Sequence, residues 1–181
     1  DLKGELPIVV VEEDQATLHD AERIRPTGCE VIQINTGMDC HLEADMLRRV
    51  VDQLHLQESG LLFVENVGNL VCPALFDLGE WAEVVILSVT EGEDKPLKYP
   101  HMFWATQVML LNKVGLLPYL QFDLERCLEA ALEINPTLKF YRFLRQQEKE
   151  CRSGTIGFNC SRKICQKLFR ISLGEKFCLE F

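Results

Sequence analysis

LPIVVVEED, residues 6–14, is the stretch whose reading decides the fold. Its apolar run is short, unbroken and rich in β-branched side chains. A strand with one wet face alternates apolar and polar residues, so an unbroken run predicts a strand covered on both faces, as in a parallel sheet. The strand is expected over residues 6–12, followed by an acidic loop at Glu13-Asp14. Outward from it the pattern recurs, with strands expected at 31–34, 61–64, 84–89 and 108–111. Helices are expected between them. One covers 17–24 and is stopped by Pro26 and Gly28. A second covers 43–54, EADMLRRVVDQL, where Met46, Leu47, Val50, Val51 and Leu54 share one face. A third, 124–134, begins behind Asp123 as N-cap and is closed by Asn135-Pro136. Strands alternating with helices predict an α/β fold, a mostly parallel sheet with helices on both faces.

The 181 residues are 47% apolar, a globular composition with enough chain to bury a core. No apolar run reaches transmembrane length and no signal peptide opens the sequence. Asp1 stands first, which reads as a fragment whose start lies upstream. The net charge of −9 hides a break: residues 1–138 carry −15, residues 139–181 carry +6. The acidic body argues against nucleic acid as partner, because phosphate contacts need clustered Lys and Arg. The eight cysteines fall at irregular spacings, which favours burial or metal ligation over a disulfide framework. Cys29 and Cys127 are expected as buried thiols, Trp81 and Trp104 as packing residues, and His19, His55 and His101 at the surface.

In parallel sheets ligands sit beyond the carboxyl ends of the strands. The loops there read EEDQATLHD, NTGMDCHLE, ENVGNLVCP, TEGEDKPLKYP and NKVGLLPY. Asp14 follows a strand and suits Mg²⁺ beside phosphates, a helix-capping or surface acid being the plainer alternative. Glu65-Asn66-Val67-Gly68 has the form of an acid at a strand end followed by a glycine that admits a phosphate to its backbone N–H, a weak motif alone. Cys40, His41 and Cys72 offer two thiols and an imidazole, suited to Zn²⁺ or Ni²⁺; three ligands leave a position open, as a transfer site requires. Two buried cysteines and a helix-start histidine are the plainer alternative.

Together these loops resemble HypB, the family of GTPases that insert nickel into hydrogenase, over residues 2–136. NTGxxCHLE, ENVGNLVCP and SVTEGEDKPLKYPHMF carry the resemblance. It implies a P-loop GTPase-like fold, with GTP and Mg²⁺ as nucleotide and cation, and Ni²⁺ or Zn²⁺ as bound metal. It implies Asp14 and Glu65 as catalytic residues near Mg²⁺, Gly68 near the γ-phosphate, and Asn112 and Lys113 at the base. It further implies Cys40, His41 and Cys72 on the metal at a homodimer interface. Partners would be hydrogenase maturation proteins and the hydrogenase large subunit, in the cytoplasm, with no membrane or nucleic acid involved.

Three departures from that pattern matter. No phosphate loop of the Gly-x-x-Gly-x-Gly-Lys-[Ser/Thr] type precedes Asp14, so the chain by itself is expected to be deficient in hydrolysis. Glu13 stands where the family has glycine, an extra negative charge expected near the phosphates. Asn112-Lys113-Val114-Gly115 ends in glycine where the guanine-reading motif ends in aspartate. Loss of that acceptor leaves two guanine donors unpaired, a cost of roughly 2–5 kcal/mol. After residue 138 the resemblance stops. The basic, cysteine-bearing segment 139–181 reads as the family's C-terminal region in a shifted reading frame, and it is expected to pack poorly. A metal-binding or dimerising module without hydrolysis, or a chain without function of its own, is the alternative reading.

Overall fold

The computed structural model describes residues 6–14, 19–37, 41–54, 60–66, 68–142 and 177–180. Its framework is a parallel sheet. The strands are β1 (Ile8–Asp14), β2 (Glu30–Asn35), β3 (Leu61–Glu65), β4 (Ala82–Ser88), β5 (Val108–Asn112), β6 (Lys139–Arg142) and β7 (Phe177–Glu180). Their order across the sheet is β2-β1-β3-β7-β4-β5-β6. The five strands expected from the sequence are present, each extended by one or two residues or shifted at its ends. Helices α1 (His19–Ile24), α2 (Ala44–Val51), α3 (Lys95–Lys98), α4 (Pro100–Ala105) and α5 (Leu124–Ile134) connect them. Among the described residues no helix is long and apolar enough to cross a membrane.

Right-handed crossovers fix which face each helix covers. The step from β1 to β2 runs one way across the sheet, and those from β2 to β3, β4 to β5 and β5 to β6 run the other. That puts α1 on one face and α2, α4 and α5 on the opposite one, the two-sided arrangement expected. Alternation along the strands agrees. Val9, Val11, Leu62 and Val64 share a buried cluster with Leu47 of α2 and with Leu54. Val85, Leu87, Met109 and Leu111 share another with Phe103 of α4 and Cys127 and Ala131 of α5. These are two cores under two halves of one sheet.

Helix α5 follows the expectation residue for residue. Asp123 Oδ1 accepts a hydrogen bond from the Arg126 N–H at 3.1 Å, which satisfies one of the amides left without partner in a first helical turn. Asn135 ends the helix, and its Nδ2 donates to the carbonyls of Phe103 and Thr106 at 3.2 and 2.8 Å, tying the ends of α4 and α5 together. Helices α3 and α4 were not expected. Both carry proline at an N-terminal position, where its missing N–H costs nothing and its fixed φ favours the helix. Helix α4 buries Met102 and Phe103 and turns Trp104 outward, 73% exposed. Trp81 is likewise half exposed, so neither tryptophan is the packing residue expected. Cys127 is fully buried, as expected, and burial pushes its thiol up to about 11. Cys29 is only half-buried.

Beyond residue 138, β6 pairs in parallel with β5 from Val108↔Lys139 to Leu111↔Arg142. Phe140 packs against the second core. Strand β7 sits mid-sheet, paired with β3 over Leu61–Val64 and with β4 only at Ala82 and Glu83. Residues 143–176, on which most of the reading of the tail falls, lie outside the described residues.

Candidate functional site

The carboxyl end of β1 is acidic and buried. Glu12 and Glu65 are register partners, so both point to the face opposite α2. Glu13 points the other way, with Val11. Its carboxylate is 6% exposed and accepts a 2.6 Å hydrogen bond from the Thr36 hydroxyl. Glu13 thereby helps hold the loop after β2. Asp14 is the last residue of β1, aligned with Asn35.

That loop leads to His41, and Cys40 before it lies outside the described residues. The segment after β3 comes back over it. Asn66, 5% exposed, accepts from the Leu42 N–H through Oδ1 at 3.3 Å. Asn69 Oδ1 accepts from the N–H groups of both Val71 and Cys72 at 2.9 Å. Cys72 then caps a single 3₁₀ turn, Pro73–Leu75, and Phe76 closes it. The ring of Phe76 stacks on the imidazole of His41, with centroids 3.7 Å apart and planes 16° from parallel. His41 Nε2 lies 3.9 Å from Glu43 Oε1, and its side chain is 14% exposed. The imidazole of one loop and the thiol-bearing turn of the next are thus brought together, and Cys72 is not disulfide-bonded. A thiol and an imidazole are donor types that suit Ni²⁺ or Zn²⁺. Among the described residues, however, no group of three or more His, Cys, Asp or Glu side chains is gathered to hold a metal.

Between β3 and β4, beyond the four residues of β7, the sheet opens into a cavity of about 210 Å³. It runs along β4 from Glu83 to Ile86 and is closed by Glu65, Asn66, Gly68, Asn69, Glu91 and Met102. Three of these are carboxylates and none is Lys or Arg, so the wall suits a cation or a cation-bound phosphate better than a bare anion. A Cβ at Gly68 would meet nothing within 4 Å, so packing does not require glycine there, and the open space is room for a ligand.

At the end of β5, Asn112 Oδ1 accepts from the Lys113 N–H at 2.7 Å. Lys113 has φ 57°, the left-handed region, the one non-glycine residue among those described to adopt a positive φ. Such backbone costs about 1–3 kcal/mol and persists where surrounding structure enforces it, commonly at binding sites. Gly115 has an ordinary negative φ and open space around it. Its backbone would accept a side chain.

With this arrangement in view, residues 2–142 match the family model described as "CobW/HypB/UreG, nucleotide-binding domain". The chain belongs to the CobW/HypB/UreG family. Within it, the chain is 60% identical over 138 residues to the hydrogenase maturation factor HypB of Escherichia coli (strain K12), an overlap of 76% of this chain and 48% of that protein. It is 38% identical over 135 residues to the probable hydrogenase maturation factor HypB of Methanocaldococcus jannaschii, covering 75% of this chain and 61% of the other. The crystal structure of HypB from Helicobacter pylori in complex with nickel superposes with a TM-score of 0.73 at 38% identity, over 76% of this chain and 66% of that one. HypB from Archaeoglobus fulgidus gives 0.71 at 38% identity, over 78% and 68%. The chain spans about half the length of its curated Escherichia coli relative.

The sequence reading of this family member named His41 and Cys72 but not the side chains that join their loops: Asn66, Asn69 and Phe76. The asparagines were readable in principle, because an Asn whose oxygen caps N–H groups two or three residues on is a common turn device.

Proposed function

We propose that this chain is the nucleotide-binding body of a HypB-type maturation factor that couples GTP to delivery of nickel for hydrogenase. The observation that carries the proposal is the convergence of the His41 loop and the Cys72 turn directly beside the Glu65–Gly68 segment. One metal donor, Cys72, then shares the stretch after β3 with Glu65 and Gly68, and Asn66 ties that stretch to the His41 loop. In this reading Cys40, His41 and Cys72 bind nickel as cargo, or zinc in its place, at the contact of two copies. Asp14 and Glu65 hold Mg²⁺, and Gly68 presents its N–H to the γ-phosphate. Asn112 and Lys113 shape the base-binding loop. Bound Mg²⁺ would supply charge neutralisation at the phosphate oxygens. The chain's own part is positional: the β3 end fixes the acid, and the glycine admits the phosphate. Maturation proteins and the hydrogenase large subunit would be the partners, in the cytoplasm.

Gly115 supports a second reading, that guanine recognition is impaired and hydrolysis weak while metal handling persists. Calorimetric titration separates the two. GTP·Mg²⁺ is titrated first and Ni²⁺ second, into the chain and into His41→Ala and Cys72→Ala. Under either reading each substitution weakens nickel binding by about tenfold or more. Micromolar GTP binding with a preference over ATP supports the first reading, and its absence supports the second. Nickel uptake unchanged in both variants overturns the metal assignment.

A further inference from the structure

We infer that Phe76 is a positioning residue for the metal site, fixing the plane of the His41 imidazole from the same turn that carries Cys72. The inference rests on the assignment of His41 and Cys72 as metal donors. An imidazole donates its lone pair in the plane of its ring, so whatever fixes the ring plane fixes the direction from which an ion is bound. Phe76 lies 16° from parallel to that plane at 3.7 Å and restricts its rotation. At the ring's edge, Nε2 faces Glu43 Oε1 at 3.9 Å.

The ring that does this is not independent of the thiol. Phe76 and Cys72 are the two ends of one 3₁₀ turn. The Leu75 N–H donates to the Cys72 carbonyl at 3.2 Å and the Phe76 N–H to that of Pro73 at 3.1 Å. Asn69 holds the front of the turn through the Val71 and Cys72 amides. The turn is therefore a short spacer of fixed length, with a sulfur at one end and the stacking ring at the other. It is also anchored on both sides, because Leu70 and Ala74 pack on the core under β4 and β5, and Leu78 lies in the core under β1 and β3. A half-exposed phenylalanine at the surface is not needed to fill either core. Its contact with His41 is the arrangement that its position explains.

The test compares the chain with Phe76→Tyr, Phe76→Leu, Phe76→Ala and Cys72→Ala. Ni²⁺ is titrated and thiolate-to-nickel absorption recorded, and the ring protons of His41 are followed by NMR in the metal-free protein. Tyrosine keeps the flat ring and should bind nickel as the parent does. Leucine keeps apolar bulk without a flat face and should bind about three- to tenfold more weakly, with a shifted absorption band. In the metal-free protein the His41 ring protons, shielded by the stacked ring, should move downfield in the leucine variant and not in the tyrosine one. Phe76→Ala should behave like leucine. If alanine impairs folding, the leucine variant and the proton shifts decide. Leucine binding with parental affinity, or His41 protons that do not move, overturns the inference while leaving the metal assignment standing. Parental binding by Cys72→Ala removes the assignment itself, and the inference with it.

Discussion

At the scale of single residues, Gly115 separates what the backbone requires from what a ligand would. Lys113 two positions earlier is held at φ 57°, a conformation with a cost, whereas Gly115 has neither a positive φ nor a crowded Cβ position. Glycine there is thus unexplained by the fold and bears only on what the loop can recognise. Gly115→Asp should leave stability within about 0.5 kcal/mol, since the new side chain enters open space. It should also raise the affinity for GTP relative to ITP, which lacks the exocyclic amino group, by about tenfold or more. Competition binding checks both nucleotides together. A GTP to ITP ratio that stays at one would show that this loop does not read guanine. It was the resemblance of the loops, more than the residue types, that made Asn112, Lys113, His41 and Cys72 legible. Their supports were not, because the Phe76 stack and the Asn66 bond join residues more than twenty positions apart, and only the order of strands brings those loops together.

At the scale of elements, legibility followed periodicity. The parallel strands are unbroken apolar runs, and α2 and α5 have apolar residues at helical spacing, so both kinds were readable. Helices α3 and α4 were hidden because Pro96 and Pro100 read as breakers, although at a first helical turn proline is permitted. The pattern of α4 was misread for the same reason: once the segment is helical, Phe103 goes in and Trp104 out. Helix α5 gives the cleanest energetic test. The Asp123 carboxylate accepts from the Arg126 N–H, while the helix buries Cys127, Ala130 and Ala131 against the sheet. Asp123→Ala should cost about 0.5–2 kcal/mol, read as a lowered urea midpoint with unchanged slope. Asp123→Asn should recover most of the loss, because the amide oxygen can accept the same bond.

For the whole molecule, the two cores matter more than the number of strands. One lies under β1 to β3 with α2, the other under β4 to β6 with α4 and α5. They are bridged by β7 and by the segment that carries Cys72. Strand β7 was the element least legible in the sequence, being four residues inside a segment whose charge reverses that of the body. Hydrogen exchange should resolve two groups of amides with different opening free energies, one for each half, with the amides of residues 66–78 among the less protected. A single uniform class would show that the halves open together.

The seam has a consequence for biogenesis. Leu61 pairs with Phe177, so the ribosome must pass residue 180 before the central gap can be stitched. At roughly 5–20 residues per second the nascent chain spends several seconds as two partly assembled lobes with bare strand edges facing each other. In that interval an extended segment from elsewhere could occupy the gap, which makes the interval between synthesis of β6 and of β7 the step at which this sheet is most open to chaperones and to mispairing.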